Sequence, residues 1–284
     1  MSRASNLLAF LLLLTTSTAL AQSKVGIVEQ PCGEPVVPTP ALRELFVELF
    51  IESRALSPSD LDRVRQHPDM QGFGEALRKQ SATDWAALCR YQAANAVVVQ
   101  RPQRPVAVFM GDSITENWQL ADPKLFEAAF VNRGISGQTT SQMLVRFRAD
   151  VVALKPKMVH IMAGTNDIAG NTGAIRMQDV QNNIMSMVDL ALTNDIQVAL
   201  ASIPPAAEFN WRPDIDPVPV IQKMNDWLRT YAKEKQLRYI DYYSALAGAS
   251  GELKGELGND GVHPNRRGYE VMRQVMKSHG FEPR

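Results

Sequence analysis

The residues with the clearest chemical potential are Gly111, Asp112 and Ser113, which follow the apolar run from Pro105 to Met110. Such a run predicts a buried strand, and a strand that ends in glycine presents the next hydroxyl at the rim of a sheet. Ser113 is therefore a candidate nucleophile. Alternatively, Gly111 makes a turn while Asp112 and Ser113 cap the following segment. These residues alone favour the capping interpretation.

Two later loops repeat the combination of glycine with small polar residues. They are residues 132–139, after a second apolar run, and 164–167, after a third. Parallel strands would bring all three loops to one edge of a sheet. Glycine lets a backbone N–H approach a ligand closely, and Asn166 offers an amide donor. Such donors stabilise the oxyanion of a tetrahedral intermediate, by about 3–4 kcal/mol for one donor in a protease.

A serine nucleophile needs a base to take its proton, and the chain has four histidines. His263 lies in a polar turn before the last predicted helix, three residues after Asp260. This spacing lets the carboxylate fold back onto one ring nitrogen while the other nitrogen faces Ser113. The alternative is an exposed His263 beside an Asp-Gly turn, with Asn265 as a helix N-cap. The other three lie in the N-terminal region, in mid-strand and near the C-terminus (His67, His160 and His279).

Together these blocks resemble the SGNH hydrolases, the GDSL-type esterase and lipase superfamily, over residues 106–278. The matching blocks are Gly111-Asp112-Ser113-Ile114, Ile135-Ser136-Gly137-Gln138-Thr139, Gly164-Thr165-Asn166-Asp167 and Asp260-Gly261-Val262-His263. Ile114, where the family name has leucine, is a conservative change. The α/β-hydrolase elbow does not fit, since it needs glycine where Thr115 stands.

The resemblance implies that Ser113 is the nucleophile, His263 the base and Asp260 its orienting partner. It also implies an oxyanion hole made of the Ser113 and Gly137 N–H groups and the Asn166 amide. Asp112 and Asp167 are interpreted as structural carboxylates. No metal or organic cofactor is expected, and no ligand motif for one is present in the sequence.

The order of the predicted elements indicates the fold. Short apolar runs alternate with amphipathic helical stretches from residue 105 on, which predicts parallel strands and a three-layer α/β/α sandwich. Five strands of this kind predict a flavodoxin-like parallel sheet in the order 2-1-3-4-5. The predicted strands are 106–110, 130–132, 158–162, 196–203 and 237–240. The predicted helices are 123–129, 140–154, 175–194, 218–235 and about 265–278.

The N-terminal third is organised differently. Residues 1–21 combine Arg3, a short apolar stretch and an Ala-x-Ala site, which predicts a secretory signal peptide and a secreted or periplasmic protein. The alternative is an uncleaved anchor, although the stretch is short for a bilayer. Residues 22–100 are interpreted as a Pro-rich segment and a helical extension, including a helix over 84–99. The hydrolase domain is predicted over 101–284.

Composition limits the partners. The 284 residues carry 30 basic and 30 acidic side chains and no basic block, so neither nucleic acid nor an anionic membrane is expected.

Cys32 and Cys89 form a disulfide in an exported protein or remain buried thiols, and the oligomeric state is left open. Three aromatic residues (Trp118, Phe209 and Trp211) are candidates for the mouth of the site or for simple packing.

These features predict a small-molecule or carbohydrate ester substrate, with a short acyl ester on a carbohydrate as the preferred hypothesis. The resemblance equally allows lysophospholipase and thioesterase activities. A non-catalytic exported binding protein on the same scaffold is the competing class. It predicts the loss of Ser113, His263, Asp260 or Asn166, and all four are present.

Overall fold

The computed structural model describes residues 26–54, 56–127 and 129–281. The predicted signal peptide, residues 1–21, lies outside the described residues. Residues 26–33 belong to a separate unit and contain neither helix nor strand, whereas residues 34–281 belong to one compact unit. Neither of the two cysteines is a free thiol.

The core of the large unit is a five-stranded parallel sheet. Its strands are β1 (Ala107–Gly111), β2 (Phe130–Gly134), β3 (Met158–Met162), β4 (Gln197–Ala201) and β5 (Arg238–Ile240). They lie in the order β2-β1-β3-β4-β5, which confirms the predicted flavodoxin-like sheet. Gly111 pairs with Gly134 on one side and Met162 on the other. Strands β1, β2 and β3 therefore end level, and the loops that follow them begin side by side.

Eleven α-helices are present in the described residues. In chain order they are α1 (Pro40–Phe46), α2 (Pro58–Arg65), α3 (Pro68–Thr83), α4 (Gln92–Val99), α5 (Ser113–Ala121), α6 (Thr140–Asp150), α7 (Thr165–Ile168), α8 (Met177–Thr193), α9 (Val218–Glu234), α10 (Tyr242–Leu246) and α11 (Arg266–Ser278). A π-helical turn follows α1 (Val47–Ile51), and 3₁₀ turns occupy Pro123–Phe126 and Val152–Leu154.

Two apolar clusters pack on the two faces of the sheet. One contains Phe147 of α6, Ile184 of α8 and Leu228 of α9. The other contains Trp118 of α5 and Met272 of α11. Strands covered on both faces read as continuous apolar runs, which is why the sequence shows them clearly. The two layers of helices complete the predicted α/β/α sandwich.

Two predicted helices differ from the structure. The segment 84–91 is a turn, because the Asp84 carboxylate accepts the N–H groups of Leu88 and Cys89 at 2.8 and 2.9 Å and so competes with helical hydrogen bonding. Leu88 is 45% exposed, and so does not form the predicted apolar helical face. In the stretch predicted as a helix over 123–129, the described residues form only the short 3₁₀ turn at Pro123–Phe126.

Gly134 shows how tightly α5 packs on β2. A Cβ atom at this position would lie 2.2 Å from the backbone nitrogen of Glu116 and 2.7 Å from the backbone carbon of Thr115. Because backbone cannot move aside cheaply, Gly134→Ala is expected to lower the free energy of unfolding by about 2–3 kcal/mol. Urea denaturation measures this change.

Gly72 provides the matched control for Gly134. It lies in the exposed helix α3, and a Cβ atom there meets nothing within 4 Å. Gly72→Ala should stabilise by up to about 1 kcal/mol through helix propensity. Equal stability of the two alanine variants would contradict the close packing of α5 on β2.

Candidate active site

Ser113 is the first residue of α5 and follows β1 after a single residue, Asp112. The Asp112 side chain caps the helix by accepting the N–H of Ile114 at 2.9 Å. Burial raises the pKa of Asp112 to about 6, although the Ile114 hydrogen bond and the charge of His263 act in the opposite direction. The capping interpretation of Asp112 is therefore correct, and the cap holds Ser113 at the carboxyl edge of the sheet.

The structure brings Ser113 to His263, 150 residues away in sequence. Ser113 Oγ lies 2.8 Å from His263 Nε2, and His263 Nδ1 lies 2.7 Å from Asp260 Oδ2. Asp260 Oδ1 also accepts the backbone N–H groups of Val262 and His263, at 3.0 and 2.8 Å. The carboxylate thus holds the loop and the imidazole together. This arrangement lets His263 take the Ser113 proton while Asp260 fixes the tautomer.

Asp260 and His263 stabilise each other's charged forms. Burial opposes the Asp260 carboxylate, but the charge of His263 and its hydrogen bonds outweigh that cost and lower the pKa of Asp260 to about 2. Burial likewise disfavours the His263 imidazolium. The charge and hydrogen bond of Asp260, together with the charge of Asp112, outweigh it, so the pKa of His263 is raised above 6.5. An imidazolium formed during the reaction is therefore stabilised.

The raised pKa of His263 predicts an acid limb in the activity. At low pH the imidazole is protonated and cannot act as a base, so kcat/KM should fall as the pH drops through this pKa. The midpoint is expected above 6.5, whereas an unperturbed histidine would place it near that value. Ester hydrolysis followed from pH 4 to 9 measures the limb. Circular dichroism at each pH separates titration from unfolding, and full activity at pH 4 would contradict a histidine base.

The three candidate oxyanion donors lie on adjacent loops. Asn166 lies in α7, which follows β3, and its Nδ2 donates to the Gln138 carbonyl at 3.1 Å and to Asp112 Oδ2 at 3.3 Å. Gly137 adopts a φ of +78°, a conformation that favours glycine. Among the described residues, the N–H groups of Ser113 and Gly137 donate to no loop acceptor. These two N–H groups are therefore available to a ligand. The Asn166 NH₂ group already has two acceptors, one of which an oxyanion would have to replace.

The loop that carries Gly137 is held by residues that the sequence analysis did not identify. Glu116 Oε2 accepts the backbone N–H and the hydroxyl of Ser136 at 2.8 and 2.7 Å. Glu116 Oε1 accepts Arg90 at 2.9 Å, and Gln138 Nε2 donates to the Ala86 carbonyl at 2.9 Å. These partners are 20 to 52 residues apart in sequence, so no local pattern marks them.

The N-terminal region also holds the loop of His263. Asn259 Nδ2 donates to the backbone carbonyls of Leu49 and Glu52 at 2.9 and 2.6 Å. The Arg266 guanidinium pairs with the Glu52 carboxylate at 2.6 Å. Residues 49–52 and 86–90 therefore support two different loops of the site.

The structure corrects two of the three aromatic candidates. Trp118 is fully buried and contacts Phe109 edge-on, with ring centroids 5.7 Å apart. Phe209 is also fully buried, so neither ring can contact a substrate. Trp211 is 43% exposed and remains available at the rim. Aromatic residues serve a core or a rim equally well, and only packing distinguishes the two.

Within the described ranges, no group of three His, Cys, Asp or Glu side chains could hold a metal ion. His160 is buried in β3 with its Nε2 at 3.0 Å from the Tyr242 hydroxyl, and burial lowers the pKa of this imidazole to about 3. None of the helices in residues 26–281 that the structure describes is long and apolar enough to cross a membrane.

A Ser-His-Asp trio at the carboxyl edge of a parallel sheet is the arrangement of a serine hydrolase. Residues 109–271 match the GDSL-like Lipase/Acylhydrolase family. The chain belongs to this family, which confirms the resemblance to the SGNH hydrolases.

Two solved structures are similar to this chain. A protein from Bacteroides fragilis NCTC 9343 that has been assigned as an acylhydrolase is 43% identical, with a TM-score of 0.65 over 69% of this chain and 96% of that one. A GDSL-like lipase from Bacteroides thetaiotaomicron VPI-5482 is 41% identical, with a TM-score of 0.64 over 69% of this chain and 97% of that one. The family and these neighbours indicate a hydrolase that acts on esters.

A curated relative is the uncharacterized lipoprotein YqeF of Bacillus subtilis strain 168. It is 33% identical over 121 residues, which cover 36% of this chain. The match spans about half the length of that relative.

Proposed function

We propose that the protein is a serine esterase that cleaves carboxylic esters through an acyl-enzyme formed on Ser113. The observation that carries this proposal is the continuous contact from Ser113 Oγ through His263 to Asp260, at 2.8 and 2.7 Å. A hydroxyl so placed has both a base for its proton and a carboxylate that stabilises the protonated base.

The reaction follows from these contacts. Ser113 Oγ attacks the ester carbonyl while its proton passes to His263 Nε2. The negative charge on the carbonyl oxygen is received by the N–H groups of Ser113 and Gly137 and the amide of Asn166. The alcohol then leaves with the proton from Nε2. Water, deprotonated by the same nitrogen, attacks the acyl group and restores Ser113 with release of the carboxylic acid.

We propose a short acyl ester, such as an acetyl group on a carbohydrate, as the substrate. The exposed face of Trp211 supports this, because a flat aromatic ring suits a sugar ring. A lysophospholipase or thioesterase is the second candidate, favoured by the similarity to a protein described as a GDSL-like lipase. A non-catalytic binding protein is the least favoured candidate, because binding alone would not require the complete trio of Ser113, His263 and Asp260.

A series of p-nitrophenyl esters from acetyl to octanoyl and palmitoyl tests the acyl preference. The proposal expects kcat/KM to be highest for acetate and to fall about tenfold or more by octanoate. Acetate release from acetylated oligosaccharides, compared with release of fatty acid from lysolipids, tests the alcohol. A flat profile, or one that rises with chain length, would exclude the short-acyl substrate and favour the second candidate.

We also propose that the protein is exported to the periplasm or the medium. The predicted signal peptide over residues 1–21 supports this, as does a relative that is named a lipoprotein. Mass spectrometry of the protein from cell fractions should find an N-terminus at Gln22. A full-length chain in the cytoplasm would contradict export.

A further inference from the structure

The loop of residues 209–212, which follows β4, contacts both halves of the candidate site. Asn210 Nδ2 donates to the backbone carbonyl of Asp260 at 3.0 Å. Arg212 donates to the Ala169 carbonyl at 2.9 Å, and the Trp211 indole N–H donates to Asn171 Oδ1 at 3.1 Å. The exposed Trp211 ring is thereby connected to the segment that carries Asn166.

Asn166 can serve the oxyanion only if its NH₂ end faces the loops of Ser113 and Gly137. An asparagine side chain has an acceptor at one end and a donor at the other, so a neighbour must determine which end points where. Asn171 Nδ2 donates to Asn166 Oδ1 at 2.7 Å. This bond is shorter than the 3.1 and 3.3 Å contacts of Asn166 Nδ2, so it is the tightest hydrogen bond of this side chain.

The orientation of Asn171 is determined in the same way. An indole N–H can only donate, so Trp211 obliges Asn171 to present its oxygen. The NH₂ end of Asn171 then points to Asn166 Oδ1 and to the Gly137 carbonyl, at 2.7 and 3.3 Å. The backbone N–H of Asn171 also donates to the Asn166 carbonyl at 3.0 Å. The hydrogen bonds run in one direction, from Trp211 through Asn171 to Asn166.

We propose that Asn171 is a positioning residue that holds the Asn166 amide toward the oxyanion, and that the Trp211 N–H positions Asn171. Trp211 thus has two roles, since its exposed ring faces the rim while its N–H stabilises the hole. The inference rests on the proposed esterase function. It extends that function to Asn171, five positions after Asn166, and to Trp211, 40 positions after Asn171.

Asn171→Ala removes the donor to Asn166. It should lower kcat for p-nitrophenyl acetate by about 10- to 100-fold and leave KM nearly unchanged, because the lost contact matters most when charge develops on the carbonyl oxygen. Binding of a trifluoromethyl ketone, which forms a tetrahedral adduct, should weaken by the same factor. The aspartate of Asn171→Asp still accepts the indole N–H but cannot donate to Asn166. This variant should therefore lose as much kcat as Asn171→Ala.

Trp211→Phe separates the two roles of the tryptophan, because it keeps a ring and removes the N–H. Trp211→Phe should therefore lower kcat. Adding this change to Asn171→Ala should lower kcat no further. Asn194→Ala is the control, since this exposed side chain bonds only to the Leu190 carbonyl of its own helix. Thermal melts establish that each variant is folded.

The outcomes distinguish this inference from the proposed function. If Asn171→Ala and Trp211→Phe keep the native kcat and ketone affinity while Ser113→Ala is inactive, the positioning role is wrong and the esterase stands. Additive losses from the two changes would contradict the relay through Asn171. If Ser113→Ala itself keeps native activity, the proposed function fails first.

Discussion

Ser113→Ala is expected to lower kcat for ester hydrolysis by about 10⁶-fold, the loss found when the nucleophile of a serine protease is removed. Alanine has no oxygen to form the acyl-enzyme, and His263 is left 2.8 Å from where the proton donor was. Hydrolysis of p-nitrophenyl acetate measures the loss. A fluorophosphonate should add its mass to the peptide that contains Ser113 in the native protein and to no peptide of the variant.

A second serine provides the matched control for this experiment. Ser81 lies on the exposed helix α3, and its hydroxyl donates only to the Leu77 carbonyl within the same helix. Ser81→Ala should keep native kcat and native labelling. The nucleophile assignment would be wrong if Ser113→Ala hydrolysed esters at the native rate, or if the label appeared on another residue.

Asp260→Asn is expected to lower kcat by about 10⁴-fold while the protein stays folded. Asp260 Oδ1 accepts two backbone N–H groups, so an asparagine there keeps its oxygen on those donors. Its NH₂ end must then face His263 Nδ1, where Asp260 Oδ2 stands at 2.7 Å in the native protein. Two donors cannot share this contact. The imidazole is therefore driven to the tautomer that carries its proton on Nε2, which cannot accept the proton of Ser113.

The same geometry determines the control measurements for Asp260→Asn. Because the backbone contacts survive, the free energy of unfolding should change little, and urea denaturation tests this. Asp226→Asn, which removes an exposed carboxylate paired with Arg229, should leave kcat at the native value. A kcat within tenfold of native for Asp260→Asn would contradict the orienting role of the carboxylate.

Much of the fold could be predicted because its signals are local. Strands covered on both faces are short apolar runs, and their alternation with amphipathic helices requires parallel pairing. The strand order predicted from these signals is confirmed by the structure. The segment 84–91 could not be predicted, since Asp84 captures backbone N–H groups that a helical pattern assigns to the helix.

The composition of the candidate site could be predicted for a related reason. Parallel strands end at one edge, so the glycine-bearing loops after β1, β2 and β3 had to meet there. Asp260 and His263 are three residues apart, so their contact is local in sequence. The long-range contact of His263 with Ser113 was a hypothesis that the geometry supports and that the substitutions above test.

By itself, the sequence determined the parallel sheet, the loops at its carboxyl edge and the residue types able to do acyl transfer. Only the tertiary structure decided which aromatic rings are buried, how Glu116 holds Ser136, and how Trp211 reaches Asn166 through Asn171. The physical reason is that strand and turn preferences depend on neighbours in sequence. Burial and the direction of a hydrogen bond depend on side chains that folding brings together from distant positions.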